Sequence, residues 1–180
     1  MGKNEPVCIA EEVPFEIPES WEWVRLKNLV KKEIKRGKSP KYSDFSNILV
    51  FAQKCNVKSG GIDMSLAKYL DKNIFTKYPE EEYIQNCDIV INSTGNGTLG
   101  RIGIFHDYDR IDKKIIVPDS HVTVIRALEF LSADYIFYVL SYYQPYLEKS
   151  CSGSANLLPQ EKQVQTPTHH IPKKRLLSNC

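Results

Sequence analysis

Apolar residues in this chain gather in short runs rather than long periodic stretches. Ile48-Leu49-Val50-Phe51 is a compact run of four, the mark of a strand covered on both faces. It exits through Gln53, Lys54, Asn56 and Lys58 toward Gly60-Gly61, so polar side chains crowd its end. Asp88-Ile-Val-Ile-Asn92 and Arg101-Ile-Gly-Ile-Phe105 enclose a loop of glycines and small polar residues. That pattern predicts a strand, an exposed tip and a second strand. Ile115 to Val117 and His121 to Arg126 are two further strands around Pro118-Asp119-Ser120, the second with His121, Thr123 and Ile125 on one face and Val122, Val124 and Arg126 on the other.

Helical spacing is confined to three places. Leu26, Leu29, Val30 and Ile34 predict a short amphipathic helix, which Gly37-Lys38-Ser39-Pro40 breaks with a basic turn. A second helix is expected around Ser65 to Asn73, before a surface turn made by Pro79 and three glutamates. Ser132 is an N-cap for a core-facing helix through Ile136, Leu140, Tyr143 and Leu147, with Pro145 ending or kinking it at Gln144. The sum is an α+β fold, a β-rich mixed sheet with peripheral helices. The expected divisions are a flexible lead-in over 1–14, a domain over 15–155 and an irregular tail over 156–180.

With 180 residues, 42% of them hydrophobic and 26% charged, the chain is long enough for one well-filled core and needs no staples. Its five cysteines are odd in number and widely separated, with no Cys-x-x-Cys pair, which predicts a reducing cytoplasmic setting. No stretch approaches the length of a membrane span, so no membrane partner is expected. The net charge of +2 hides an uneven distribution: eight basic residues and one acid lie between Arg25 and Lys41, against six glutamates and one lysine in the first 22 positions. Such a stripe can bind phosphates or simply be a solvated face.

Gly95-Asn-Gly97-Thr-Leu-Gly100 matches G-x-G-x-x-G, but the strand-like, glycine-broken Arg101 to Phe105 follows it in place of the long helix a dinucleotide site needs. Lys-Ser/Thr is also missing after Gly100, which excludes a phosphate loop. Ser93 or Ser120 with His121 lacks a nucleophile elbow. Asp88 with Asp112-Lys113-Lys114 is the raw material for a small metal-dependent nuclease, although Asp112 belongs to a solvated charge run. A remnant serving only as a protein-interaction module is a third reading.

The remaining polar residues suit nucleic acid. Asn and Gln pair with adenine edges, Arg and Lys with guanine, and Ser or Thr with several. Gln53, Asn56, Asn92, Ser93, Thr94, Asn96 and Arg101 fall at strand ends and loops, with Lys38, Lys41, Lys54 and Lys58 available for phosphates. The Gln53 to Gly61 and Asn92 to Arg101 loops would form the DNA-facing surface.

In their order, several segments resemble the target recognition domain of type I restriction-modification specificity subunits. They are Ile17-Pro-Glu-Ser-Trp-Glu-Trp-Val-Arg-Leu26, the Gly37-Lys-Ser-Pro40 turn, Cys87-Asp-Ile-Val-Ile-Asn-Ser-Thr-Gly95 with Gly97, Gly100 and Gly103, and Tyr135-Ile-Phe-Tyr138 followed by Ser152-Gly-Ser154. The resemblance covers roughly Phe15 to Ala155. It implies a non-catalytic reader of one half of a split site in double-stranded DNA. The implied partners are a methyltransferase (modification) subunit, a restriction/translocase subunit and a second recognition domain. S-adenosylmethionine, ATP and magnesium would belong to those partners, and this chain would hold no cofactor. The family's proline-rich turn and long heptad-patterned helix do not follow Ser154, so a half-subunit or fragment is expected.

Overall fold

A computed structural model describes residues 16, 21–58, 61–95, 97–151 and 169–172. Three sheets are present among them. The first four-stranded sheet has the order β2-β9-β6-β7, built from Lys35–Arg36 (β2), Val122–Ile125 (β9), Asp88–Asn92 (β6) and Ile102–Phe105 (β7), all antiparallel. The second has the order β3-β5-β4-β8, from Tyr42–Ser43 (β3), Lys68–Leu70 (β5), Ile48–Phe51 (β4) and Ile115–Pro118 (β8). There β4 and β8 run parallel while the other pairs are antiparallel, which makes the sheet mixed. Trp21–Val24 (β1) and His169–Pro172 (β10) form a small antiparallel ribbon. Two helices, Ala133–Tyr142 (α1) and Gln144–Cys151 (α2), complete the α+β architecture.

The unbroken apolar runs have a direct cause in the layering. Leu49, Phe51, Val90, Phe105, Ile116, Val122 and Val124 share one buried cluster between the two four-stranded sheets. Ile89, Ile91, Ile102 and Ile125 turn the other way, joining Leu26, Leu29, Ile136 and Leu140 under α1. On the far side Ile48, Val50, Leu70 and Val117 lie beneath Tyr78, Ile74 and Phe75. Strands β4, β6 and β9 are therefore buried on both faces, so neither face of their apolar runs needs polar residues.

Two expected helices are replaced by shorter elements. Only a single 3-10 turn, Leu26–Asn28, forms where a helix through Ile34 was predicted. The backbone beyond it is drawn into strand-like pairing: Val30 bridges Ala127, and the Lys31 N–H donates to the Arg126 carbonyl at 2.8 Å. Leu26 and Leu29 are buried all the same, so the apolar spacing marked the core face but not the helix. Over Ser65 to Asn73 the chain forms the 3-10 turn Met64–Leu66, strand β5 and the 3-10 turns of Lys72–Lys77. The carboxylates of Asp63 and Asp71 accept from the Ser65 and Asn73 N–H groups at 3.0 and 2.9 Å, capping each turn and leaving β5 to pair between them.

The helix capped by Ser132 forms as the spacing predicts, with the Tyr135 N–H donating to its hydroxyl at 3.2 Å. The break falls at Tyr143 rather than Gln144. Pro145 then sits in the first turn of α2, where its missing N–H leaves no helical hydrogen bond unmade. The lead-in over 1–14 lies outside the described residues, as does most of 156–180. His169–Pro172, expected within an irregular tail, is instead a strand on β1.

Two charged clusters tie the layers together. Asp88 is fully buried at the start of β6, and Arg126 just beyond β9 donates to it from Nε at 2.8 Å and Nη2 at 2.7 Å. The Gln85 N–H adds a third donor at 2.9 Å. Glu82, expected on a surface turn, is buried and receives Lys38 at 2.7 Å and Lys35 at 3.1 Å. Burial pushes the Glu82 carboxyl up, but the hydrogen bonds and charges of Lys38 and Lys35 outweigh it and hold the group below its ordinary range.

Arg126→Met leaves the Asp88 carboxylate buried without its counter-charge, and is expected to cost about 3–5 kcal/mol in urea unfolding. Glu82→Gln is expected to cost about 1 kcal/mol at neutral pH, because both lysines are partly exposed and screened. The pH dependence has a definite sign. A depressed carboxyl stabilises the fold above its unfolded value, near 4.5, and that stabilisation is lost as pH falls through the folded value. Denaturation midpoints of the wild type and Glu82→Gln should therefore stay separate above about pH 4.5 and converge as pH falls below it through the depressed folded value.

Candidate nucleic-acid interface

Three segments meet at one end of the sheets: the 3-10 turn Gln53–Cys55 leaving β4, the Ser93 to Arg101 loop joining β6 to β7, and the Asp119 to His121 turn joining β8 to β9. Their junction is built from buried polar groups. Asn92, fully buried, donates from Nδ2 to the Gln53 carbonyl at 2.8 Å, while its backbone closes the loop through Asn92 N to Arg101 O and Gly100 N to Asn92 O, both 2.9 Å. Asn56, also fully buried, donates from Nδ2 to the Arg101 carbonyl at 3.0 Å and to the Val90 carbonyl at 3.3 Å. Among the described residues its Oδ1 has no hydrogen-bond donor, and it rests against Gly103, where a Cβ would come within 2.8 Å of it. Ser93 and Thr123, both buried, join hydroxyl to hydroxyl.

Asp119 ties the third segment in. Its Oδ1 accepts from the His121 N–H at 2.7 Å, and the Gln53 and Val122 N–H groups also face its carboxylate. Burial pushes this carboxyl above its ordinary value, opposed by those N–H groups and by His121. The Thr94 hydroxyl bonds to His121 Nδ1. Gln53 Oε1 accepts from Thr98 Oγ1 at 3.3 Å and packs on Gly95, where a Cβ would come within 2.2 Å of that oxygen. Gly95 and Gly100 have φ of 107° and 77°. Gly95 and Gly100, the outer glycines of the G-x-G-x-x-G match, thus serve a left-handed turn pressed against its neighbours, while Gly97, also left-handed, faces open space.

The eleven residues singled out for DNA divide sharply by environment. Asn56, Asn92 and Ser93 are internal struts rather than groups presented to a ligand, because each is buried and saturated or walled in by the fold. The Lys38 backbone bridges Asp119, yet its ammonium turns away to Glu82, the Lys77 carbonyl and the Tyr78 ring. Lys41 is exposed but paired with Asp71 at 3.3 Å. Arg101 is half-buried, bracing the loop through Nη2 to the Gly97 carbonyl at 2.9 Å. Gln53 and Thr94 are half-buried at the junction, Lys54 and Lys58 are exposed on its border, and Asn96 lies outside the described residues. Thr98, Asp119 and His121 belong to the same junction and were not singled out for DNA. The available signal was Asp119 two residues before His121, a spacing at which a carboxylate caps its own turn.

The alternative chemistries lose their parts. Both Asp88 oxygens are taken by Arg126 and Gln85, and Asp112 sits on an exposed turn paired with Lys114 at 2.7 Å. Among the described residues no group of three or more His, Cys, Asp or Glu side chains is placed to hold a metal ion. Cys55 is buried, which pushes its thiol up to about 11 and removes it as a nucleophile.

No protein-family model matches the chain. It is similar to the type I restriction enzyme MjaVIII specificity subunit of Methanocaldococcus jannaschii, 30% identical over 171 residues, covering 91% of this chain and 39% of that protein. The fold is shared with the HsdS subunit from Thermoanaerobacter tengcongensis at a TM-score of 0.55 and 21% identity, over 79% of this chain and 33% of that one. A chain from a structure on assembly and conformational transition of the type I R-M system gives a TM-score of 0.56 at 20% identity, over 78% and 33%. The chain thus spans between a third and two-fifths of the length of the proteins it matches. In sequence the chain is thus similar to part of a type I restriction enzyme specificity subunit, and in fold to part of an HsdS subunit.

Proposed function

We propose that this chain reads part of a DNA target for a type I restriction-modification complex and performs no bond-breaking step itself. The observation that carries the reading is the three-segment junction, in which buried Asn92, Asn56 and Asp119 fix loops whose outer residues are Gln53, Thr94, Thr98 and His121, with Lys54 and Lys58 beside them. Base edges are read by hydrogen-bonding side chains whose positions are set in advance, and lysines at the border neutralise phosphates. The methyltransferase and restriction/translocase subunits would be the partners, holding S-adenosylmethionine, ATP and magnesium, with a second recognition domain reading the other half-site. Kinship with a specificity subunit supports that setting. Among the described residues no helix is long and apolar enough to cross a membrane.

Titrating the full chain, alone and with its methyltransferase subunit, onto duplex DNA across a salt series tests the reading. Affinity should fall with salt, and changing Lys54 and Lys58 to Gln should weaken binding to all sequences while lowering the salt slope by roughly one per lysine. Salt-insensitive binding, or none in either form, would refute it.

A further inference from the structure

We propose that His121 is a specificity-determining residue, with its ring nitrogen Nε2 donating a hydrogen bond to an acceptor on a base edge of duplex DNA. The inference rests on the DNA-reading function above and adds a residue to it. An exposed side chain ordinarily samples several rotamers, and ordering one costs conformational entropy. His121 is exposed yet held from both ends. Its N–H donates to Asp119 Oδ1 at 2.7 Å, its carbonyl accepts from the Ser93 N–H at 2.8 Å, and its Nδ1 is bound by the Thr94 hydroxyl. Ser93 is itself locked to Thr123, and Asp119 is buried, so the brace reaches into the core.

The other ring nitrogen, Nε2, has no hydrogen-bond partner among the described residues. The two nitrogens of an imidazole are linked through the proton they share. With the Thr94 hydroxyl as the donor to Nδ1, the neutral ring carries its proton on Nε2, whereas the opposite direction would leave Nε2 an acceptor. In the first form, the one proposed, Nε2–H is a donor. It suits an acceptor such as purine N7, guanine O6 or thymine O4, all presented in the major groove. The fold thus places a rigid, single-point donor beside Gln53 and the Thr94 to Thr98 loop.

The test is selection of bound sequences from a random duplex pool by the full chain assembled with its methyltransferase subunit, for wild type, His121→Ala, His121→Gln and Thr94→Val. Unchanged thermal melting of His121→Ala confirms that the exposed position is not structural. His121→Ala should flatten the preference at one position of the selected site by roughly fivefold to tenfold, the worth of one hydrogen bond, leaving other positions unchanged. Thr94→Val should weaken the same position less, and His121→Gln, which restores an amide donor, should recover part of it. An unchanged site, or an equal loss on every sequence as expected of a phosphate contact, overturns the assignment of His121 while leaving the DNA-reading function standing. If the wild-type assembly selects no sequence at all, the function falls and the inference with it.

Discussion

A strand covered on both faces cannot turn a polar side chain out to water, and β6 carries one at each end. Asp88 at its start and Asn92 at its finish are fully buried, with Ile89, Val90 and Ile91 between them divided over two hydrophobic clusters. Each polar group therefore has to be satisfied inside the protein, where an unmet one costs about 1–3 kcal/mol or more. The two ends solve this differently. Asp88 takes a bidentate arginine from beside the neighbouring strand, which fixes how β6 sits against β9. Asn92 takes backbone groups from two loops, which fixes what lies above the sheet.

That asymmetry separates stability from recognition along a single strand. The Asp88 end is an ion pair sealed beneath the Glu81 and Tyr83 carbonyls, which also accept from Arg126. The Asn92 end is a lattice of two buried amides and the Asp119 carboxylate whose outer members reach the surface. Backbone carbonyls do most of the accepting there, so the loop positions are set by chain geometry and the outer side chains remain free to differ without loosening the lattice. Fixed framework with variable periphery is the arrangement a reader of sequence requires.

Much of this was legible in the chain. The apolar runs of β4, β6, β8 and β9, the glycine-rich tip and the Ser132 cap all follow from local pattern. The missed elements share a cause. Leu26, Leu29, Val30 and Ile34 do face the core, but pairing of Val30 with Ala127, a partner far along the chain, overrides their helical spacing. Asp63 and Asp71 likewise look like ordinary loop acids until each is seen closing a turn around β5. In the candidate interface, segment positions were readable and side-chain directions were not. Asn92 and Asn56 have the composition of base contacts, yet burial makes them struts, and Lys38 is claimed by Glu82, which sequence placed on the surface.

Gln53 and Gly95 bear on one another so closely that no side chain fits between them, and Thr98 holds the same Gln53 oxygen. Inheritance should register that contact. Glycine at 95 is demanded twice, by its left-handed backbone and by the Gln53 and Thr98 oxygens against it, so a shorter residue at 53 would not by itself admit a side chain there. Across descendants position 95 would then stay fixed while the outer side chains around it change, so the turn outlasts the preferences it supports.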